Sequence, residues 1–377
     1  MRRGWILIGI TVTTLAIVGL GIRHDLHGLT LVIRAADLHG PARRFADFDT
    51  VPIRERLVDT RIDAMPIRVR VYVPLVRPRQ TVLLVSGLHP AGIDEPRLVF
   101  LARQLAAADI VVATPDIPEL SRYEITPVLT DRIERLALWL SSDSQLAPTG
   151  RIGLMGISFS GGLAVVVAGR PALRGRLLYV FSFGGHDDLP RVLEYFCAAG
   201  STPPPHDYGV AVVLLNVASE LVPPEQVDPL RSAIRRFLWA SYLDRVDKQK
   251  ADREFAALRE QVRTLPEPAA TLLDAVNRRD VATLGQRLRP HVARYVEPAA
   301  LSPARSPAPS APVFLLHGRG DRVIPTSESE NLAARLRQAV PVRLLVTDLI
   351  SHAEADQPPH VLDVLKLADF WGDLLAR

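Results

Sequence analysis

The segment Arg151-Ile-Gly-Leu-Met-Gly-Ile-Ser-Phe-Ser-Gly-Gly162 decides how the rest of the chain is read. Its first half is an uncharged run after Arg151, and its continuation from Gly161 to Ala168 is apolar and helical in character. A buried strand that turns directly into a helix explains both halves. Ser158 stands at the turn, with a small residue two positions to either side. Small neighbours let the backbone turn tightly, and a serine there projects its Oγ past the carboxyl end of the strand. The helix that follows offers free N–H groups and its positive end to a developing oxyanion. Ile152, Leu154 and Gly156 alternate along the strand and put Ser158 just beyond its end. A second register, Ser158-x-Ser160-x-Gly162, would make Ser160 the reactive group, and a turn without catalysis would use neither.

Around this segment, strand and helix patterns alternate from about Ile53. Ile67–Val73 has the period-2 alternation of a half-exposed strand, and Thr81–Val85 and Ile110–Thr114 are short apolar runs suited to buried parallel strands. Pro96–Ala108 and Thr130–Leu140 have helical spacing, and Leu177–Phe183 is a further strand. This rhythm predicts a mostly parallel sheet covered by helices on both faces. It breaks at His186-Asp187-Asp188. Residues 187–310 read as a helical insertion with Leu230, Ile234, Phe237 and Leu238 on one stripe, closed by a Pro/Ser-rich linker, Ser302–Pro312. The sheet pattern resumes with a strand, Pro312–Gly318. Then come a helix, Thr326–Ala339, with Ser327 and Glu330 in capping-box spacing, a strand, Val342–Thr347, and a last helix, His360–Ala376.

Two segments join the serine turn. Leu316-His-Gly-Arg-Gly-Asp-Arg-Val-Ile-Pro325 follows one strand, and Asp348-Leu-Ile-Ser-His352 follows the last. Together the three resemble the α/β-hydrolase superfamily: a nucleophile elbow, an acid loop of His-Gly-x-x-Asp type, and a histidine after the final strand, in the order Ser, Asp, His. The resemblance implies Ser158 as nucleophile, Asp321 as acid and His352 as general base, since a serine hydroxyl needs a base to attack. Ser160 replaces the second glycine of the elbow. Asp187 and Asp188 are reserve candidates for the acid, and His317 is read as structural. The loop Ser86-Gly-Leu-His-Pro-Ala-Gly92 matches the loop that supplies an oxyanion-hole N–H, which implies the backbone N–H groups of Leu88 and Phe159; Ser86 stands where histidine is usual. His89 would border the pocket or hold the loop. The resemblance covers roughly residues 53–186 and 311–377; the insertion matches a cap only in position, and an appendage for packing or dimerisation is its other reading.

The expected activity is that of a serine hydrolase acting on a carboxylic ester or thioester through an acyl-serine intermediate. An acyltransferase on the same triad and a tethered binding protein without chemistry are the alternatives. A serine at the elbow argues against dehalogenase or epoxide hydrolase chemistry. No cofactor is expected, and with no HExxH, no CxxC and a single cysteine, Cys197, read as packing, no metal or disulfide is expected either. Lys+Arg is 45 against 41 for Asp+Glu, with no run of basic residues, so there is no nucleic-acid footprint.

At the N-terminus, Trp5–Ile22 is an uncharged, apolar run behind Arg2 and Arg3. At 1.5 Å per residue it is about 27 Å long, enough to span a bilayer core. The expectation is a single membrane anchor in residues 1–22, with the catalytic part outside a bacterial plasma membrane. A cleaved signal that leaves a secreted or periplasmic protein is the alternative. Residues 23–52 read as a juxtamembrane connector whose Leu29, Leu31, Val32 and Ile33 lie on the membrane surface or cover the core. Residues 53–186 and 311–377 are the two parts of the α/β core. The placement suits a small-molecule or lipid-derived ester as substrate.

Overall fold

The structure is a computed structural model that describes residues 26–37, 39–62, 65–201, 204–206, 208–351, 354–355 and 361–377. Helix α1 (residues 26–35) and the short α2 (Pro41–Asp47) come first. β1 (Ile53–Ile62) and β2 (Met65–Pro74) form an antiparallel pair, with Ile53 opposite Pro74. The chain continues through β3 (Gln80–Val85), α3 (Pro96–Ala107), β4 (Ile110–Pro115), α4 (Pro118–Ser121), α5 (Val128–Ser142), β5 (Ile152–Ile157), α6 (Phe159–Ala168) and β6 (Leu177–Phe183). Six helices interrupt the sheet: α7 (Leu189–Phe196), α8 (Tyr208–Val217), α9 (Pro224–Val246), α10 (Lys248–Val262), α11 (Ala269–Asn277) and α12 (Val281–Val292). β7 (Val313–Gly318), α13 (Thr326–Leu336), β8 (Val342–Thr347), the small pair β9 (Ile350–Ser351) and β10 (Glu354–Ala355), and α14 (Val361–Leu375) complete the order.

The eight-stranded sheet runs β1-β2-β4-β3-β5-β6-β7-β8. β2 is antiparallel to β1 and β4, and every later pairing is parallel. The apolar character of the central strands follows from burial on both faces. Val82 and Leu84 face one core with Met155, Tyr179, Phe181 and Phe314. Leu83 and Val85 face the other with Leu154, Val180, Val313 and Leu315. α1, α3 and α14 cover the first face; α5, α6 and α13 cover the second.

The connector belongs to this core. Leu31, Val32 and Ile33 of α1 are buried, and a Cβ on Gly28 would stand 1.8 Å from the Ala368 carbonyl oxygen of α14. Of its two readings, covering the core is the one realised. The insertion is also continuous with the second core. The predicted stripe Leu230, Ile234, Phe237 and Leu238 is buried on α9, and α8, buried from Gly209 to Leu215, lies between α7, α9 and α12. Cys197 caps the end of α7 and is buried.

Two local expectations are corrected. α13 starts at Thr326 without a side-chain cap, and Glu328 rather than Glu330 bonds backbone N–H groups, those of Asp187 and Asp188. The Pro/Ser-rich stretch is not a free linker. Ser302 is buried, its Oγ accepts from the Leu189 N–H, and the Pro307 carbonyl oxygen lies so close to Gly169 that a Cβ there would approach it to 2.0 Å. Among the described residues no helix is long and apolar enough to cross a membrane; the run Trp5–Ile22 lies outside them.

Candidate active site

β5 ends at Ile157 and α6 begins at Phe159, so Ser158 alone makes the turn. Its backbone sits at φ 55°, ψ −128°, a region that costs a side-chain-bearing residue energy and is kept only where the surroundings impose it. Two hydrogen bonds impose it here. The Ser158 N–H donates to the Phe183 carbonyl at 2.6 Å, and its own carbonyl accepts from the Gly161 N–H at 2.8 Å. The approach of helix to strand leaves no room for side chains: a Cβ on Gly156 would lie 2.1 Å from the Ser160 carbonyl oxygen, and one on Gly161 2.5 Å from Ser182 Oγ. Ser160, in the first turn of α6, is completely buried, whereas Ser158 is half-buried at the turn. The two registers therefore differ in access, and Ser158 is the one open to a substrate.

The loop after β3 closes on this turn. A Cβ on Gly87 would stand 3.3 Å from Ser158 Cβ. Neither the Leu88 N–H nor the Phe159 N–H has a hydrogen-bond partner among the described residues. Next to them, His89 Nδ1 accepts the Ala91 N–H at 3.2 Å, which leaves the proton on Nε2. Its ring meets Tyr242 of α9 edge-on at 4.6 Å, and burial pushes its pKa down to about 4. His89 thus both holds the loop and touches the insertion.

Asp321 follows β7 and is buried. Its Oδ1 accepts from the Val323 and Ile324 N–H groups at 2.7 and 3.0 Å. Its Oδ2 lies 3.3 Å from His317 Nε2. His317 is itself sealed, donating Nε2–H to the Ile324 carbonyl at 2.9 Å with Ser329 Oγ at 2.6 Å from Nδ1. It braces the acid loop. His352 lies outside the described residues; the strand that precedes it, β9, lies beside β7. The reserve acids are engaged elsewhere. Asp187 pairs with Arg335 at 2.7 Å, and Asp188 caps α7 and pairs with Arg305 at 2.9 Å.

Two features are not legible in the sequence. Buried Glu328 ties the end of β6 to α13 by accepting from the Asp187 and Asp188 N–H groups and pairing with Arg191. The insertion also reaches the loop that carries Asp321: the His206 N–H donates to the Arg322 carbonyl at 2.9 Å, and Arg322 Nε–H donates to the Pro204 carbonyl at 3.1 Å. Further contacts seat the insertion on the sheet's carboxyl edge: Asn216 bonds the Ile125 N–H and the Tyr123 carbonyl, each at 2.8 Å.

No family model and none of the curated proteins matches the chain. Solved structures do. An arylesterase structure aligns with a TM-score of 0.50 at 14% identity, covering 89% of each chain. With this strand order and a serine turn between β5 and α6, that likeness decides the architecture. The fold is that of the α/β-hydrolases. Also similar to this hydrolase fold are a bacterial brefeldin A esterase (TM-score 0.48, 15% identity, 95% of this chain and 81% of that one) and a dienelactone hydrolase from Anabaena variabilis (0.44, 16%, 85% and 96%).

Proposed function

We propose that the chain is a serine hydrolase that cleaves a carboxylic ester or thioester through an acyl-serine intermediate. The observation that carries the reading is Ser158 at positive φ, half-buried, between the loop of Gly87 and Leu88 and the N-terminus of α6. A strained backbone at an accessible serine, beside two unengaged N–H groups, is an arrangement that a purely structural turn has no need of.

His352 removes the proton from Ser158 Oγ, which attacks the substrate carbonyl carbon. The Leu88 and Phe159 N–H groups bind the oxygen as it becomes anionic. The tetrahedral species collapses, the bond to the leaving alcohol or thiol breaks, and His352 returns the proton to it. Water then repeats the sequence on the acyl-serine and releases the acid. Asp321, fixed by the Val323 and Ile324 N–H groups, orients the imidazole and favours its charged form. We further propose that Trp5–Ile22 is a single N-terminal anchor that holds the hydrolase outside the membrane.

Hydrolysis of p-nitrophenyl esters tests the assignment. Ser158→Ala is expected to reduce kcat/KM by at least about 10³-fold, the remaining rate coming from the oxyanion donors and binding. Ser160→Ala, which removes only a buried hydroxyl, is expected to retain measurable turnover. The opposite pattern would move the nucleophile to Ser160. Full transfer of the acyl group to an added alcohol, with no free acid, would make the chain an acyltransferase.

A further inference from the structure

Five exposed apolar side chains, Leu26, Phe45, Phe48, Leu75 and Val76, lie at one edge of the molecule, and Phe48 is 92% exposed. This is the edge where the parallel strands begin. Phe48 borders a hollow of about 130 Å³ with His27, Arg79, Gln80 and Leu375, which brings together the starts of α1 and β3 and the end of α14. The Val51 N–H bonds the Ala107 carbonyl, and the Leu75 N–H bonds the Pro52 carbonyl, so the end of β2 belongs to the same edge. Phe45 and Phe48 are three residues apart along α2 and share a face. Arg44 and Arg77 are exposed on this edge and have no carboxylate partner among the described residues. The core does not use these apolar groups, which project into solvent beside the two arginines.

The chain says what covers them. The apolar run ends at Ile22, and Leu26 of α1 is already part of the edge. Four residues reach at most about 14 Å. A hydrolase tethered through Trp5–Ile22 therefore carries this edge within about that distance of the bilayer. Ser158 and Asp321 follow the opposite ends of β5 and β7, and a six-residue strand is about 20 Å long. We infer that the edge formed by α1, α2 and the turn after β2 rests on the anionic surface of the membrane that holds the chain. The apolar side chains enter the headgroup layer, and Arg44 and Arg77 meet lipid phosphates. The catalytic mouth then opens away from the bilayer, and its substrate is a water-borne ester rather than a lipid of the same membrane. This rests on the anchor and hydrolase readings proposed above.

The test uses the full chain with Cys197 replaced by alanine, reconstituted in phosphatidylcholine/phosphatidylglycerol vesicles. A fluorophore is placed by Phe48→Cys, or by Val246→Cys at the far end of α9, which is exposed. Nitroxide-labelled headgroups are expected to quench the label at position 48 several-fold more than that at 246, while aqueous iodide shows the reverse order. Stronger headgroup quenching at 246, or equal access of iodide to both, overturns the proposal. Quenching is read without turnover, so a chain oriented as expected but inert toward soluble and bilayer esters alike would sink the hydrolase reading alone. Selective hydrolysis of the bilayer ester over the soluble one would overturn the substrate assignment.

Discussion

At the scale of single residues, the site depends on what is missing as much as on what is present. Gly156 allows the Ser160 carbonyl to approach the strand, and no side chain fits there. Gly156→Val is expected to cost at least about 1–3 kcal/mol and most of the proposed esterase activity, by pushing Ser158 off its turn; a urea titration beside a rate assay reads both. His89 supplies a pH dependence. Its pKa in the folded chain is about 4, against an ordinary value of about 6.5. Between these values the unfolded chain takes up a proton that the folded chain refuses, so stability falls as pH drops through that window. Buried His186, also shifted down by desolvation, adds to the fall. His89→Asn should flatten the urea midpoint between pH 6.5 and 4 relative to the parent; an unchanged slope contradicts the assignment. The turn at Ser158 was legible because strand, turn and helix are contiguous in sequence. The choice between Ser158 and Ser160 depends on which side chain is sealed, and the complete burial of Ser160 is set by the packed fold, which no local pattern reports. The ion pairs that occupy Asp187 and Asp188 were hidden for the same reason, since Arg335 is 148 positions away from Asp187.

Among the elements, central strands were easy to read because burial on both faces makes them uninterrupted apolar runs. β1 was not, because it is the sheet's edge strand and half of Ile53–Ile62 is exposed and charged. From sequence α1 reads only as a connector, since its apolar residues suit a membrane surface as well as a core; the Gly28 contact with α14 distinguishes the two. Gly28→Val would drive a side chain into the Ala368 carbonyl. It is expected to destabilise the fold by about 2 kcal/mol or more, seen as a lower thermal midpoint, although the position lies outside the part of the chain that resembles the superfamily. An unaltered midpoint would mean that α1 is dispensable.

For the whole molecule, one apolar cluster runs from the second face of the sheet into α7–α12, so insertion and sheet are expected to unfold in a single transition. Trp239 on α9, and Trp139 and Trp371 on the sheet's helices, can report it separately when the other tryptophans are replaced by phenylalanine. Two midpoints would show an independent cap. Asn216→Ala, which strips partners from the Ile125 N–H and the Tyr123 carbonyl, is expected to lower the stability read at the common midpoint by about 1–3 kcal/mol. The insertion's place in the chain was legible from the broken β-α rhythm; its reach to the loop of Asp321 was not, because His206 meets Arg322 only through the fold. The proposed hydrolase chemistry turns on one oxygen atom, Oγ of Ser158. Its reactivity is read by treating the folded chain with a fluorophosphonate and mapping the adduct by peptide mass spectrometry. Stoichiometric modification at Ser158 is expected, lost on heat denaturation and absent in His352→Gln. An adduct at Ser160, or no adduct in a folded chain, would refute the assignment of Ser158 as nucleophile.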